Sequence, residues 1–210
     1  MALSYPLSLP AAWKIRRATM RADSVVGFTE SPFSKTQQVY AHQGECWAMD
    51  VQLTPMVRNN AQDCIALLLA LNGMEGTVLM PPPGNSLGVR GTWAGSPKVF
   101  GAHAAGVKTI AMDGFTAAAT VKAGDWFQTG SGSTTHLHKI VQDGTADGSG
   151  LLNIEIWPRT RAALADDATF TIVSPVGQWR LANNQREWDL DIAQIYGITA
   201  RFIERFRGGE

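Results

Sequence analysis

The sequence predicts a mainly β protein with one helix: a β-sandwich domain built from both ends of the chain, with a small antiparallel β-barrel inserted between its halves. Three observations carry that prediction. From Val107 to Val173, short strand-like runs are separated by glycine-rich turns at the spacing of a small barrel or sandwich. Longer strand patterns stand on either side, and the late ones after Pro175 need partners that the first ninety residues can supply. Asn60 to Asn72 is the one stretch with clear helical periodicity. The expected boundaries are 1–90 and 175–210 for the discontinuous domain and 91–174 for the inserted module.

Taken in order, "KTQQVYA" and "CWAMDVQL" read as two strands around a turn at "HQGE". In the second, Trp47, Met49, Val51 and Leu53 point one way while Ala48, Asp50 and Gln52 point the other, so one face is core and the other wet or shared. Pro55 stops the strand. The helix that follows has an Asn cap, Asp63 in its first turn, and Ile65, Leu68, Leu69 and Leu71 on a broad apolar side. Asn72-Gly73 ends it. "GTVLM" is a short apolar strand, after which the triple proline, Gly84 and Gly88 impose an extended, turning connection. The barrel strands are "VKTIAM", "ATVKAGDWFQTG", "HLHKIVQ", "LLNIEIWP" and "ATFTIV". Beyond Pro175 come "QWRLA", "REWDLDIAQI" and "GITARFIERF". Trp188, Leu190 and Ile192 alternate there with Asp189 and Asp191, and the tail "RFRGGE" is expected to fray.

Lys plus Arg equals Asp plus Glu at 18 each, so composition offers no global attraction to nucleic acid or anionic membrane. Only 17% of residues are charged, against seven tryptophans and 21 glycines. Sparse charge and abundant aromatics suit a subunit buried in an assembly, although a Trp-rich β core gives similar numbers. Cys46 and Cys64 read as reduced structural thiols. The N-terminal segment has its prolines and Trp13 ahead of its basic cluster, the wrong order for a signal peptide, and no apolar run reaches the length of a membrane span. Synthesis in a cytoplasm is the expectation.

The residues that could carry chemistry each have a structural alternative. His136 and His138, two apart on a strand, face one side as two metal ligands could. A third ligand would have to be His103, His42 or Asp125, and the structural reading is preferred. Asp143 and Asp147 fail as an EF-type calcium loop because the twelfth position is Ile154. Asp-Gly and Gly-Ser-Gly are ordinary hairpin residues. "GSGSTTH" lacks the Lys of a phosphate loop, and no Gly-x-Ser-x-Gly elbow occurs. Asp50, Glu155, Asp189 and Asp191 lie on predicted strands without singling out a hydrolytic pair. Cys64 sits among leucines as a small hydrophobe, and Arg159, Arg161, Arg201, Arg205 and Arg207 form no basic stripe. No cofactor is called for.

The runs "VKAGDWFQTG", "HLHKIVQD", "GSGLLNIEIWPRTR" and "ADDATFTIVSPVGQWRLANN" resemble a module of minor tail proteins from long-tailed bacteriophages of Gram-negative hosts. The likeness extends back through "NGMEGTVLM" and "GVRGTWAGSP" and forward through "REWDLDIAQIYGI", roughly the last two thirds of the chain. The family is the distal tail protein of siphophages. Met1 to Phe33 has no matching motif.

That resemblance implies a tail-tube-like ring domain with one helix and an outlying β-barrel. It further implies a homohexameric ring in the virion, at the tail tip, contacting the tail tube protein and the baseplate hub while DNA passes through the lumen without specific binding. It is a structural role, with no enzyme activity and no membrane partner. Trp47, Met49, Val51, Leu53, Trp188, Leu190 and Ile192 are then the expected ring scaffold, and Asp50, Asp189 and Asp191 the candidate lumen residues. Two alternatives remain open at this point. One is a carbohydrate-binding module that uses Trp93, Trp126 and Trp157 as stacking platforms; the other is a cell-wall hydrolase.

Overall fold

The computed structural model describes residues 3–84 and 88–205. In chain order the first part holds β1 (Ile15–Asp23), β2 (Val26–Glu30), β3 (Gln37–Ala41), β4 (Cys46–Leu53), β5 (Met56–Val57), α1 (Arg58–Ala70) and β6 (Val78–Met80). The middle holds β7 (Gly95–Val99), β8 (Thr109–Phe115), β9 (Thr120–Val121), β10 (Trp126–Thr129), β11 (His136–Ile140), β12 (Gly144–Thr145), β13 (Leu152–Trp157) and β14 (Phe170–Thr171). The chain finishes with β15 (Gly177–Leu181), β16 (Glu187–Leu190) and β17 (Ile195–Glu204). With 44% strand and one α-helix among the described residues, the protein is mainly β.

A seven-stranded sheet runs β1-β4-β17-β15-β6, with β5 and β16 also paired to β17. Its register confirms the alternation read from β4: Trp47, Met49, Val51 and Leu53 are buried, whereas Asp50 and Gln52 face the other side, opposite Arg201 and Thr199. The apolar face packs on α1 through Ala61, Cys64, Ile65, Leu68 and Leu71 around Trp13, Trp179 and Phe202. The helix starts earlier than its Asn cap predicts. β5 is held on β17 by the Val57 to Ile195 pairing, so the chain passes straight from strand into helix at Arg58, without a side-chain cap or an acid in the first turn. Leu69 faces outward and is not part of the core side. The stop is as expected: Asn72 and Gly73 take φ of 47° and 70°, the left-handed conformation.

The expected hairpin between "KTQQVYA" and "CWAMDVQL" does not form. β4 pairs with β1 and β3 pairs with β2, so residues 15–53 make one long two-stranded ribbon turning at Ser31 to Thr36. "HQGE" interrupts the ribbon where β1–β4 gives way to β2–β3.

The second sheet is antiparallel, in the order β14-β10-β11-β13-β8-β7. Its ends approach through a Lys98 to Thr169 bridge and Val99 N–H to Ala168 O at 3.0 Å, giving a nearly closed six-stranded barrel-like sheet. β9 and β12 form a small ribbon beside it. The run "ATVKAGDWFQTG" is two strands separated by a turn at Lys122 to Asp125, and β7 lies in a stretch that reads as a connection because Gly95 and Pro97 mask its pattern. The core is Val99, Ile110, Met112, Phe127, Ile140, Ile154 and Ile156 with their neighbours. Gly150 illustrates why these turns need glycine: its φ is 78° and a Cβ there would run into Phe115 O.

Candidate functional site

The most exposed part of the molecule is the distal half of the ribbon. Cross-strand register sets Val26 opposite Ala41 and Phe28 opposite Val39, one apolar face, and Gly27 opposite Tyr40 on the other. Val25, Val26, Phe28, Val39 and Tyr40 are all exposed, and Phe33 at the tip is 97% exposed. The tip is fixed by local bonds only: Lys35 N–H to Ser31 O at 3.0 Å, Ser31 N–H to Thr36 O at 3.0 Å, and Lys35 and Gln37 side chains to Glu30. An isolated two-stranded ribbon is at best marginally stable in water, so this arm has a surface that covering would stabilise.

The polar face of the first sheet carries two of the three acids expected in a lumen, in different settings. Asp50 is gripped by Arg21 at 2.5 Å and stands 3.8 Å from Arg201. That ion pair raises the Arg21 guanidinium further above its ordinary value. An open groove of about 540 Å³ crosses this face, bounded by Arg17, Asp50, Gln52, Arg186, Glu187 and Arg201. Asp189 shares the face through its pairing with Gly197. Asp191 does not, because β16 stops at Leu190 and Asp191 opens a turn, accepting the Ile192 N–H at 2.6 Å and bonding through its own N–H to Ile195 O. Ile192 therefore leaves the strand for the turn and is 99% exposed. Trp188 and Leu190 do pair on the core side, opposite Ile198 and Tyr196, but at a sheet edge where both stay exposed.

Barrel and sheet meet on a built junction. β11 alternates between two buried sides: His138 and Ile140 face the barrel core, while Leu137 joins the core of the first sheet. Trp47 Nε1–H donates to Leu137 O at 3.1 Å. Trp126 and Trp157 pack on the Trp47 ring with centroids 4.9 and 4.2 Å away, and Lys139 Nζ lies 4.4 Å above Trp126. Arg159 donates twice to Glu45, at 3.0 and 3.3 Å, with Lys108 at 3.4 Å. Arg161 reaches Glu204 at 3.3 Å and also donates to Glu45 O. Burial pushes the Glu204 carboxyl up to about 7, against the opposing pull of Arg161. These two arginines, which belong to no basic stripe, thus serve as ion-pair partners inside the junction.

The tryptophans expected to stack sugars are otherwise engaged. Trp93 is buried in the barrel, where its Nε1–H donates to Asp125 at 2.9 Å, and Trp126 and Trp157 are half-buried against Trp47. Asp125 is a structural acceptor that also takes the N–H groups of Arg90, Gly91 and Lys122 at 2.6, 3.0 and 3.1 Å. His138 is wholly buried: its Nδ1–H faces Pro158 O at 2.9 Å and its Nε2 accepts from Thr129 Oγ1 at 3.1 Å. Burial drives this imidazole down to about 3, so it is neutral. Among the described residues no three His, Cys, Asp or Glu side chains gather as a metal-binding group. Asp147 accepts the N–H groups of Ser149 and Leu151, and Asp143 takes Lys122 and the Ala123 N–H, so both acids serve turns. Glu155 bonds Thr109 on the barrel, on a different sheet from Asp50, Asp189 and Asp191. Burial raises the thiol of Cys64 and that of Cys46. Arg207 and nearly all of the tail expected to fray lie outside the described residues.

No family model matches the chain, and no curated protein matches it.

Sequence reasoning missed the arm. Its signal was present as the paired runs "VVGFTE" and "QQVYA" around "SPFSKT", but alternation gives no sign of which strand partners which.

Proposed function

We propose that this chain is a structural subunit that closes into a ring, the distal tail adaptor of a long-tailed phage, joining tail tube to baseplate hub. The observation that carries the ring reading is the β2–β3 arm, which projects apolar side chains on both sides of its tip and has no cover among the described residues. The tail assignment rests on the sequence resemblance. It agrees with a mainly β chain whose first and last segments share one sheet while the middle forms a second.

In this reading the seven-stranded sheet is the tube-like ring domain and its polar face lines the lumen. Asp50 reaches that lumen as part of an Arg21–Asp50–Arg201 cluster and not as a bare negative charge. The barrel is the outlying module, anchored by the tryptophan and arginine junction. The ring is a homo-oligomer, with the hexamer of the family as the expected copy number; it sits in the virion at the tail tip after synthesis in the host cytoplasm.

The test is the mass of the purified chain by light scattering across a concentration series, with negative-stain imaging of any large species. Closed rings with a central hole are expected. A chain that stays monomeric throughout defeats the self-closing ring.

A further inference from the structure

Two strands of the first sheet that have one side unpaired carry opposite charge. β1 pairs on one side only, with β4, and β16 pairs on one side only, with β17. At the start of β1 stand Lys14, Arg16 and Arg17, all exposed; on β16 and its turn stand Glu187, Asp189 and Asp191, also exposed. None of these six has an ion-pair partner among the described residues, whereas Arg21, Lys98, Lys122, Arg159 and Arg161 all do. From these two edges we infer that β1 of one copy pairs with β16 of the next, a head-to-tail seam that continues the sheet from subunit to subunit.

Three features of the fold fit that seam. β1, β4, β17 and β16 are successively antiparallel, so β1 and β16 run in opposite directions and a simple rotation brings them together as an antiparallel pair. The faces also match. Arg17, Gln52, Thr199 and Glu187 form one row across the polar side, so an unstaggered seam sets Glu187 beside Arg17 of the neighbour and carries Asp189 toward Arg16 and Lys14. On the other side of the sheet, the same register sets exposed Trp188 and Leu190 beside the first residues of β1, where Ile15 is exposed. Finally, a slot of about 460 Å³ lies between Ile15 to Ala18 and Pro81 to Pro83, at the end of β1 toward which the neighbour's turn points. It offers the exposed Ile192 an apolar seat. A seam of this kind uses both free edges, which a monomer leaves as templates for aggregation.

This inference rests on the ring reading, and its test separates the two. One variant carries Lys14→Glu, Arg16→Glu and Arg17→Glu; the other carries Glu187→Lys, Asp189→Lys and Asp191→Lys. Each alone meets its own copies with like charges at the seam, and its association should weaken roughly 100-fold or more relative to the wild type. Mixed in equal amounts they should reassemble, because each offers the edge that the other lacks, into rings in which the two alternate. Circular dichroism checks that each variant is folded.

Should either triple variant fail to fold, Arg17→Cys with Glu187→Cys replaces it. Within one chain these positions are three strand spacings apart, about 14 Å, too far for a disulfide, so oxidation should produce covalent multimers only between copies. Wild-type rings that persist in both reversed variants, or a mixture that stays apart, or an absence of cross-linked multimers from assembled protein, overturn the seam while leaving the ring reading intact. A wild-type chain monomeric at every concentration overturns both.

Discussion

The barrel-like sheet nearly closes where β7 meets the segment before β14, whereas the seven-stranded sheet leaves β1 and β16 each paired on one side only. The same contrast runs through the side chains. Of the nineteen large apolar residues exposed among those described, only Phe100, Val141, Leu151 and Val173 belong to the barrel; the other fifteen lie on the sheet domain and its arm. Two buried polar groups of the barrel are tied down, Asp125 by four N–H donors and His138 by a partner at each ring nitrogen. One half of the protein nearly closes on itself, and the other, in the ring proposed above, is finished by a neighbour. Intact surfaces must then matter for stability in the first half and for assembly in the second.

Substitutions can break that comparison, beginning with the largest expected effect. Phe127 packs on Phe170, Trp93 and His138, with ring centroids 5.4, 6.3 and 5.3 Å away, so Phe127→Ala should cost about 3–5 kcal/mol in chemical denaturation. Next comes pH. Glu204, held up to about 7 by burial, keeps its proton in the folded state after the unfolded carboxyl has lost one at about 4.5. Its contribution is therefore complete below pH 4.5 and is lost as pH rises toward 7, on the order of 3 kcal/mol. His138 has the opposite sign: held down to about 3, it favours the fold above 6.5 and loses that contribution as pH falls toward 3. Thermal melts of wild type against Glu204→Gln from pH 4 to 8 should show the variant losing less stability at the alkaline end. A curve parallel to wild type would mean that Glu204 stays ionised beside Arg161.

Asp125→Ala removes the acceptor of four N–H groups and should cost about 2–3 kcal/mol, with faster hydrogen exchange at Arg90 and Gly91. Asp50→Asn breaks only a half-exposed pair with Arg21 and should leave the unfolding midpoint nearly unchanged. Smallest of all, Phe28→Ser with Phe33→Ser should leave monomer stability within about 0.5 kcal/mol, since both residues are exposed, and yet lower the mass of the assembled species. A large loss of monomer stability in that double variant would sharpen the comparison in the other direction, by making the arm part of the folding unit.

What the sequence determined by itself was local: strand and turn spacing between Val107 and Val173, the inward set of β4, the helix with its Asn72-Gly73 stop, and turn duties for Asp143 and Asp147. These follow from backbone geometry and side-chain alternation, which operate over a few residues. Tertiary structure alone decided which strand pairs with which. A period of two looks the same whatever the partner, and so β3 was matched to β4 when it belongs to β2. It also decided what covers an apolar face. Trp188 and Leu190 alternate as core residues do and yet lie at an open edge, while Trp126 and Trp157, fit in type to hold a sugar, are packed against Trp47. Alternation records that a face is apolar; whether the cover is the same chain or a neighbour depends on where the edges of the sheet fall.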